Sequence, residues 1–447
     1  MDEWSQEWGE RPGRRVRPYW WPPSLILRQA MSALYVGALS RWRKLPHWFL
    51  TYGFKCLPGA AGSRGMGCIG FPAHPVWEMT AACNLRCIHC HASGGKRAAD
   101  ELTTEEAKRL LDQLAEVGEF RMMAFTGGEP LVRRDLFELL AYSKALGFTN
   151  TMATNATLID DAVARRLRRC GVVIAAVSLD GFDAATHDMV RGLPGAFEAA
   201  VKGMRALRRA GILLHINITA MEYNMGQMEP LMALVDQLGA GILLMYQLVP
   251  VGRGRGIREA ALDLGANERL IRFMARAQRV TEAIMEPVAG PQYWPFLLGR
   301  DGVASGTLLR LAETVFHGCS AGRGFVYVKP NGEVWPCPFI EVSCGSVRQT
   351  PFPIIWTTST ILKDLREREK LLKGRCGECQ YRRLCGGCRG RAWATTGDYL
   401  AEDPSCFIHS SDGKEEFYEN RVAAHPFDRA ERQRVHSLNS GPLLNSS

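Results

Sequence analysis

Three cysteines in one short segment are the residues of this 447-residue chain with the clearest chemical potential. They lie in the run Cys83-Asn-Leu-Arg-Cys87-Ile-His-Cys90, which is short enough for one loop to surround a metal centre. Three thiolates on a four-iron cluster leave one iron without a protein ligand, and amino and carboxylate groups can occupy that position. The alternative is a zinc site, in which His89 or His91 would supply the fourth ligand.

A second motif is the turn Thr126-Gly127-Gly128-Glu129-Pro130. Glycines allow the backbone to approach a ligand closely, and the carboxylate of Glu129 is an acceptor for an ammonium group. A Gly-Gly turn before a helix is common, so this motif gains meaning only beside the cysteine segment.

Both motifs follow segments that have the pattern of β-strands. Six such segments alternate with stretches long enough for helices, at residues 74–80, 122–125, 150–154, 172–179, 213–219 and 242–248. Thr103 and Glu106 form a capping box ahead of an apolar helical repeat. This order predicts an α/β fold, a partial (β/α)6 barrel, with its reactive centre at the carboxyl ends of the strands.

The cysteine run after the first strand and the Gly-Gly-Glu-Pro turn after the second together resemble the radical S-adenosylmethionine (SAM) superfamily, over about residues 74–250. The resemblance implies a [4Fe-4S] cluster on Cys83, Cys87 and Cys90 that binds SAM and cleaves it to a 5′-deoxyadenosyl radical, which abstracts hydrogen from a substrate. It also implies that the Gly127–Gly128–Glu129 turn meets the SAM amine.

Other polar residues at strand ends resemble family positions that contact SAM or substrate. We expect Asn155 and Ser178 to bind SAM, and Thr154, Asp180 and Asn217 resemble such positions too. Each could instead be a strand-terminal cap, which is the commoner use of these residue types. His91 is a departure from the family, which usually has Tyr or Phe after the last cysteine of the motif.

Seven further cysteines follow the predicted barrel, in a string that resembles the SPASM extension of radical SAM enzymes. They are Cys319, Cys337, Cys376, Cys379, Cys385, Cys388 and Cys406. Two zinc ribbons are the alternative reading. The resemblance implies two auxiliary iron–sulfur clusters and a C-terminal Cys-rich auxiliary-cluster domain.

In the connectivity of that family, the outer cluster is held by Cys376, Cys379, Cys385 and Cys406. The inner cluster is held by Cys319, Cys337 and Cys388 and is one ligand short. We expect Cys344 to complete it; otherwise the vacant position binds substrate or accepts its electron.

Three short sequence segments, around Arg253–Arg255, Arg323 and Arg389, resemble the subgroup of this family that modifies tetrapyrroles. That subgroup includes heme synthase and heme d1 enzymes. Arg253, Arg255 and Arg323 could then pair with propionate carboxylates during oxidation or decarboxylation of those side chains. The alternatives are a maturase of a peptide, a protein or a tungsten or quinone cofactor, and a zinc or iron–sulfur scaffold without turnover.

Composition bounds the remaining possibilities. The net charge of +9 is spread without a dense basic run, which argues against nucleic-acid binding. The 14 cysteines are mostly clustered, and residues 1–23 lack a signal peptide, so we expect a reducing cytoplasmic setting and a low-potential electron donor such as ferredoxin or flavodoxin. No transmembrane segment is predicted.

The predicted organisation has five parts. Residues 1–72 are a basic extension in which 24–50 could form an amphipathic helix that touches a membrane, although packing on the barrel is the preferred use. The barrel spans 73–250, a bridging helical region 251–318, the auxiliary-cluster domain 319–406 and a polar tail 407–447.

Overall fold

One mixed sheet organises the protein in the computed structural model, which describes residues 73–120, 122–277, 281, 283–300, 309–310, 313 and 318–408. The sheet has the strand order β10-β9-β8-β1-β2-β3-β4-β5-β6-β7. Strands β1 to β7 pair in parallel with their neighbours, and β8 pairs in parallel with β1, whereas the β8–β9 and β9–β10 pairs are antiparallel. The α/β partial barrel predicted from the sequence is therefore confirmed.

The strands are β1 (His74–Glu78), β2 (Met122–Thr126), β3 (Thr149–Thr154), β4 (Val172–Ser178), β5 (Leu213–Ala220), β6 (Ile242–Gln247), β7 (Ile284–Val288), β8 (Phe325–Val328), β9 (Glu333–Trp335) and β10 (Gly345–Ser346). The helices between and after the parallel strands are α1 (Thr104–Glu116), α2 (Leu136–Ala145), α3 (Asp161–Arg169), α4 (Ala184–Arg191), α5 (Ala196–Arg209), α6 (Met228–Gln237), α7 (Leu264–Ala277) and α8 (Tyr293–Arg300). The cysteine-rich part adds α9 (Phe352–Thr358), α10 (Thr360–Arg366), α11 (Arg368–Leu371), α12 (Gly374–Glu378) and α13 (Arg389–Thr396).

Helix α1 forms as its sequence predicts. The Thr103 hydroxyl accepts a hydrogen bond from the Glu106 amide at 3.3 Å, and the Glu106 carboxylate accepts one from the Thr103 amide at 2.8 Å. This reciprocal pair satisfies two amides that the first helical turn leaves without partners. The apolar positions of the helix are buried against the sheet, namely Ala107, Leu110, Leu111 and Leu114.

The sheet is wider than the six predicted strands. Strand β7 lies inside the predicted bridging region, and β8 lies inside the predicted auxiliary-cluster domain, where it pairs with β1. Glu286 and Pro287 interrupt the apolar pattern of β7, and β8 has only four residues. Neither segment therefore had a clear strand signal.

The predicted N-terminal extension, with its possible amphipathic helix, and residues 409–447 of the tail lie outside the described residues. None of the helices in the described ranges combines the length and the apolar character needed to cross a lipid bilayer. The domain boundaries stay a prediction.

The buried amide of Asn150 joins three elements at the start of β3. Its Oδ1 accepts a hydrogen bond from the Ser143 hydroxyl at 2.7 Å, and its Nδ2 donates to the carbonyls of Leu140 at 2.8 Å and Cys170 at 3.0 Å. Both Asn150 and Ser143 are fully buried, so water cannot replace these contacts. The ends of α2 and α3 are thereby fixed against the sheet.

We expect Asn150→Leu to lower the free energy of unfolding by about 2–4 kcal/mol, because it removes a fully buried amide that bonds the Ser143 hydroxyl and the Leu140 and Cys170 carbonyls. Ser143→Ala, which removes one of these groups, should cost only about 1 kcal/mol. Urea unfolding followed by far-UV circular dichroism measures both. Equal midpoints for the wild type and Asn150→Leu would contradict this role.

Candidate active site

The three cysteines lie in a loop that follows β1 and closes on itself. The amide of Cys83 donates to the Gly95 carbonyl at 2.9 Å, and the amide of Gly95 donates to the Ala81 carbonyl at 2.7 Å. Residues 83–95, here called the cysteine loop, are thus pinned at their base to the carboxyl end of β1. This is the sheet edge at which a parallel α/β barrel carries its reactive centre.

Two other segments hold the cysteine loop from opposite sides. The Arg253 side chain donates to the carbonyls of Cys87 at 2.7 Å and Gly94 at 3.1 Å, and its amide donates to the Cys90 carbonyl at 2.9 Å. At the end of α4, the Val190 carbonyl accepts the Ile88 amide at 3.0 Å. The path of the loop is therefore set by backbone hydrogen bonds and one guanidinium.

Each of the three cysteine sulfurs accepts a hydrogen bond from an N–H group. The donors are the Leu85 amide for Cys83 and the Gly94 amide for Cys90, both at 3.3 Å, and Nη1 of Arg191 for Cys87 at 3.7 Å. Donors placed on sulfur stabilise thiolates and tune the clusters that thiolates bind. These donors would therefore stabilise negative charge on the three sulfurs.

Burial makes two of these thiols, Cys83 and Cys87, hard to ionise without a cation. It raises the pKa of Cys83 to about 11, an effect partly offset by the Leu85 amide and reinforced by Glu129 and the neighbouring thiols. Burial also raises the pKa of Cys87, although Arg191 opposes this. A bound metal centre would supply the positive charge that three clustered thiolates need.

The two histidines of the loop make other contacts, which disfavours the zinc alternative. Nε2 of His89 lies 3.4 Å from a carboxylate oxygen of Asp180, and Nε2 of His91 lies 3.3 Å from the hydroxyl of Tyr327. Three sulfurs with N–H donors, beside two histidines whose Nε2 atoms contact other residues, fit an iron–sulfur cluster with one open position better than a four-ligand zinc site.

The Gly-Gly-Glu turn packs directly on the segment that leads into the cysteine loop. The Gly128 amide donates to the Thr80 carbonyl at 2.7 Å, and the Glu129 amide donates to the Ala82 carbonyl at 2.8 Å. A Cβ atom on Gly128 would lie 2.2 Å from the Ala82 carbonyl oxygen, and one on Gly127 would lie 2.6 Å from the Thr80 carbonyl oxygen. The glycines are needed for this close approach of two backbones.

Glu129 is fully buried and is held by the end of β3. Its carboxylate accepts hydrogen bonds from the Thr154 hydroxyl at 2.9 Å, the Asn155 amide at 2.8 Å and the Leu131 amide at 3.2 Å. Burial raises the pKa of Glu129 to about 7, and these hydrogen bonds oppose the rise. The structure therefore brings Glu129 and Asn155 together beside the cysteine loop.

Ser178 ends β4 and is paired in register with Asn217 on β5, so both lie on one face of the sheet. The side chain of Asn155 also reaches the cysteine loop, where its Nδ2 donates to Oδ1 of Asn84 at 2.9 Å. Direct contact of SAM with Gly127, Gly128, Glu129, Asn155 or Ser178 stays a prediction.

Sequence reasoning missed Arg191, which connects Asp180 to a cluster cysteine. Nη2 of Arg191 lies 2.6 Å from Oδ2 of Asp180, and both side chains are buried, while Nη1 donates to Cys87. Asp180 pairs with this arginine and with His89, and its resemblance to a residue that contacts SAM or substrate stays a prediction. No local pattern in the last turn of α4, Asp188-Met189-Val190-Arg191, marks this arginine for that role.

The cysteine-rich part, residues 319–406, is here called the auxiliary module. Burial raises the pKa of the Cys379, Cys385 and Cys406 thiols, and neighbouring thiols of this set and Cys376 raise it further. Backbone amides donate to three of the four sulfurs: Asp403 to Cys376, Tyr381 to Cys379 and Gly387 to Cys385, at 3.3–3.4 Å. These four cysteines are electrostatic neighbours, and their role as ligands of the outer cluster stays a prediction.

The cysteines predicted to hold the inner cluster are linked by fewer contacts, and their role as ligands stays a prediction. Burial raises the pKa of Cys388 to about 11, and the Cys319 thiol is among the neighbours that raise it. Cys319 and Cys337 pack around the same apolar cluster. Burial raises the pKa of Cys344 to about 11, with Ser359 and Arg366 opposing the rise. Its role as fourth ligand stays a prediction.

The three arginines expected to pair with propionates all have partners within the protein. Arg253 holds the cysteine loop, Arg255 forms an ion pair with Glu341, and Arg323 pairs with Glu369 at 2.6 Å. Arg323 also donates to backbone carbonyls. Arg253 and Arg323 therefore have structural contacts that the sequence could not reveal.

We expect Arg253→Met to weaken cluster binding at the cysteine loop, because it removes the guanidinium that joins two loop carbonyls. Arg255→Met is the matched control, since Arg255 lies two residues away and its side chain is 61% exposed. Iron content and the electron paramagnetic resonance signal of the SAM cluster should fall at least about twofold in the first variant only, since losing a group that holds metal ligands in place typically costs about 10–100-fold in metal affinity. Full loading of Arg253→Met would show that the loop does not need this contact.

Comparisons with known proteins agree with this geometry. Residues 77–235 match the model of the radical SAM superfamily, and residues 319–380 match the SPASM iron–sulfur cluster-binding domain. The AdoMet-dependent heme synthase of Methanosarcina barkeri is 38% identical over 335 residues, which are 74% of this chain and 95% of that protein. Pre-heme d1 synthase of Dinoroseobacter shibae is 33% identical and covers 79% of this chain and 90% of its own length.

A third relative is the mycofactocin maturase MftC of Mycobacterium ulcerans, 32% identical over 74% of this chain and 86% of its own length. Among solved structures, SuiB of Streptococcus suis bound to S-adenosylmethionine matches with a TM-score of 0.58 and 17% identity, over 75% of this chain and 77% of that one. This last likeness concerns the fold. The chain is an enzyme of the radical SAM superfamily, with a SPASM domain that binds auxiliary iron–sulfur clusters.

Proposed function

We propose that this enzyme acts on a tetrapyrrole and oxidises or decarboxylates its propionate side chains during heme-type biosynthesis. The observation that carries the proposal is the 38% identity to a heme synthase along nearly the whole of that protein. The match spans 335 residues and 95% of the heme synthase, so it concerns more than the barrel alone.

When bound, the [4Fe-4S] cluster and SAM supply a 5′-deoxyadenosyl radical that can remove hydrogen from an unactivated C–H bond. The chain's own contribution is to hold and shield this chemistry. Cys83, Cys87 and Cys90 would ligate the cluster, and the buried Gly-Gly-Glu turn would orient SAM beside it. Arg191 and Arg253 keep the cysteine loop in place.

The inner face of the barrel offers polar groups for a substrate. In the parallel register, Ser178 aligns with Asn217, Asn217 with Leu244, and Leu244 with Glu286, so these side chains share one face. His215 lies two residues before Asn217 on that same face. Among the described residues, Nε2 of His215 and Oδ1 of Asn217 have no hydrogen-bond partner, although both atoms are buried. Such atoms favour a bound polar ligand.

A peptide substrate is the second candidate, favoured by the 32% identity to mycofactocin maturase MftC. The lower identity to that relative than to the heme synthase places it second. In either case we propose that a low-potential donor such as ferredoxin or flavodoxin supplies the electron.

We expect anaerobically reconstituted, dithionite-reduced protein to convert SAM to 5′-deoxyadenosine, measured by liquid chromatography. Serine at Cys83, Cys87 or Cys90 should reduce the rate to that of the assay without protein, because each serine removes a thiolate ligand. Cys170→Ser is the control, since Cys170 lies at the end of α3 and outside both cysteine groups. Unchanged turnover in the three ligand variants is incompatible with this mechanism.

Incubation with iron-coproporphyrin should give a product lighter by the mass of formate for each propionate that reacts, measured by mass spectrometry. His215→Leu and Asn217→Leu should lower this product at least about tenfold, since loss of a polar contact to substrate costs about 1.4 kcal/mol or more. Both variants should still cleave SAM. Turnover of a peptide and not of the porphyrin would instead establish the second candidate.

A further inference from the structure

Arg368 is a fully buried arginine at the start of α11, within the auxiliary module. None of its three guanidinium nitrogens donates a hydrogen bond to a described residue. An unpaired guanidinium away from water is strongly destabilising, so native proteins pair such a group with an anion. Burial lowers the pKa of Arg368 to about 10, which leaves it charged at neutral pH.

The other buried arginines of this module differ in this respect. Nη1 of Arg389 donates to the carbonyls of Tyr399 at 3.1 Å and Ala401 at 2.5 Å. Nη1 of Arg391 lies 3.2 Å from the carboxylate of Asp403. Both guanidinium groups therefore have partners within the protein, and the lack of hydrogen bonds is specific to Arg368 among these three arginines.

The surroundings of Arg368 locate its missing partner. The Cys319 thiol interacts electrostatically with the guanidinium, and so do the positive charges of Arg323 and Arg389. A Cβ atom on Gly386 would lie 3.1 Å from Nε of Arg368, so the turn between Cys385 and Cys388 packs against this side chain. Gly386 has φ +65°, a conformation that glycine adopts without strain.

We propose that the Arg368 guanidinium donates hydrogen bonds to the auxiliary iron–sulfur cluster held at Cys319, Cys337 and Cys388, and thereby sets its reduction potential. A thiolate-ligated cluster is the anion that this position requires, and it lies where the Cys319 segment and the Cys385–Cys388 turn meet. Hydrogen bonds and positive charge at the sulfurs stabilise the reduced, more negative state of a cluster, which raises its potential. Arg368 is thus a positioning and tuning residue and not a ligand.

The test uses the full chain with Cys83, Cys87 and Cys90 replaced by alanine, so that only the auxiliary clusters contribute to the electron paramagnetic resonance signal. On that background, Arg368→Met keeps an unbranched side chain of similar length but removes the charge and all donors. At a fixed ambient potential, we expect the ratio of the reduced to the oxidised form of the cluster at Cys319, Cys337 and Cys388 to fall at least tenfold. For a one-electron couple this corresponds to a midpoint about 59 mV more negative.

Arg383→Met is the matched control, because Arg383 is an exposed arginine in the segment between Cys379 and Cys385. It should leave the ratio of reduced to oxidised cluster within about twofold of its starting value, since solvent screens its charge. An unchanged ratio in Arg368→Met with full iron content would overturn the proposal, and water would then be the partner of the guanidinium. An equal shift in both variants would overturn it too.

If Arg368→Met binds no iron in the auxiliary module, the iron content of Arg368→Lys distinguishes the two explanations. Iron restored by lysine, which keeps the charge with fewer donors, supports an anionic partner. Iron absent from both variants would mean that the arginine is needed to fold the module, and the proposal would fail. None of these readouts depends on the identity of the substrate.

Discussion

Three cysteine sulfurs that would carry negative charge on one buried or half-buried loop are the constraint on which the active site depends. Their mutual repulsion and loss of hydration must be offset by N–H donors and by the bound cluster. The structure supplies a donor for each sulfur, two from the backbone of the cysteine loop and one from Arg191. Arg191 can occupy this buried position because Asp180 balances its charge.

The same arrangement recurs in the auxiliary module with different residues. There the backbone turns around the cysteines supply most donors, and Arg389 and Arg391 are buried against carbonyls and Asp403. Gly387 belongs to the turn between Cys385 and Cys388, and a Cβ atom on it would lie 2.6 Å from Nη2 of Arg389 and 2.7 Å from Cβ of Asp403. Both modules thus combine tight backbone turns with buried cations.

The sequence predicted what depends on local spacing. Six strands, the capping box at Thr103 and Glu106, the cysteine loop and the Gly-Gly-Glu turn all follow from short-range patterns. What it did not predict depends on pairing between distant segments. The contacts of Arg253 and of Arg191 with the cysteine loop join different βα units, so no local pattern marks those residues as structural. Strand β8 was missed because its main partner is β1.

The pairing of β8 with β1 has a consequence for how the protein reaches its native state. His74 pairs with Phe325, so β1 stays an exposed edge until the ribosome has made most of the chain. Unpaired edges and contacts between residues far apart in sequence slow folding and favour association with other chains. The strand that leads into the cysteine loop therefore acquires its second neighbour late in biosynthesis, when most of the barrel already exists. If iron and sulfide reach the cysteine loop before this step, they bind to a nascent chain in which β1 is paired on one side only.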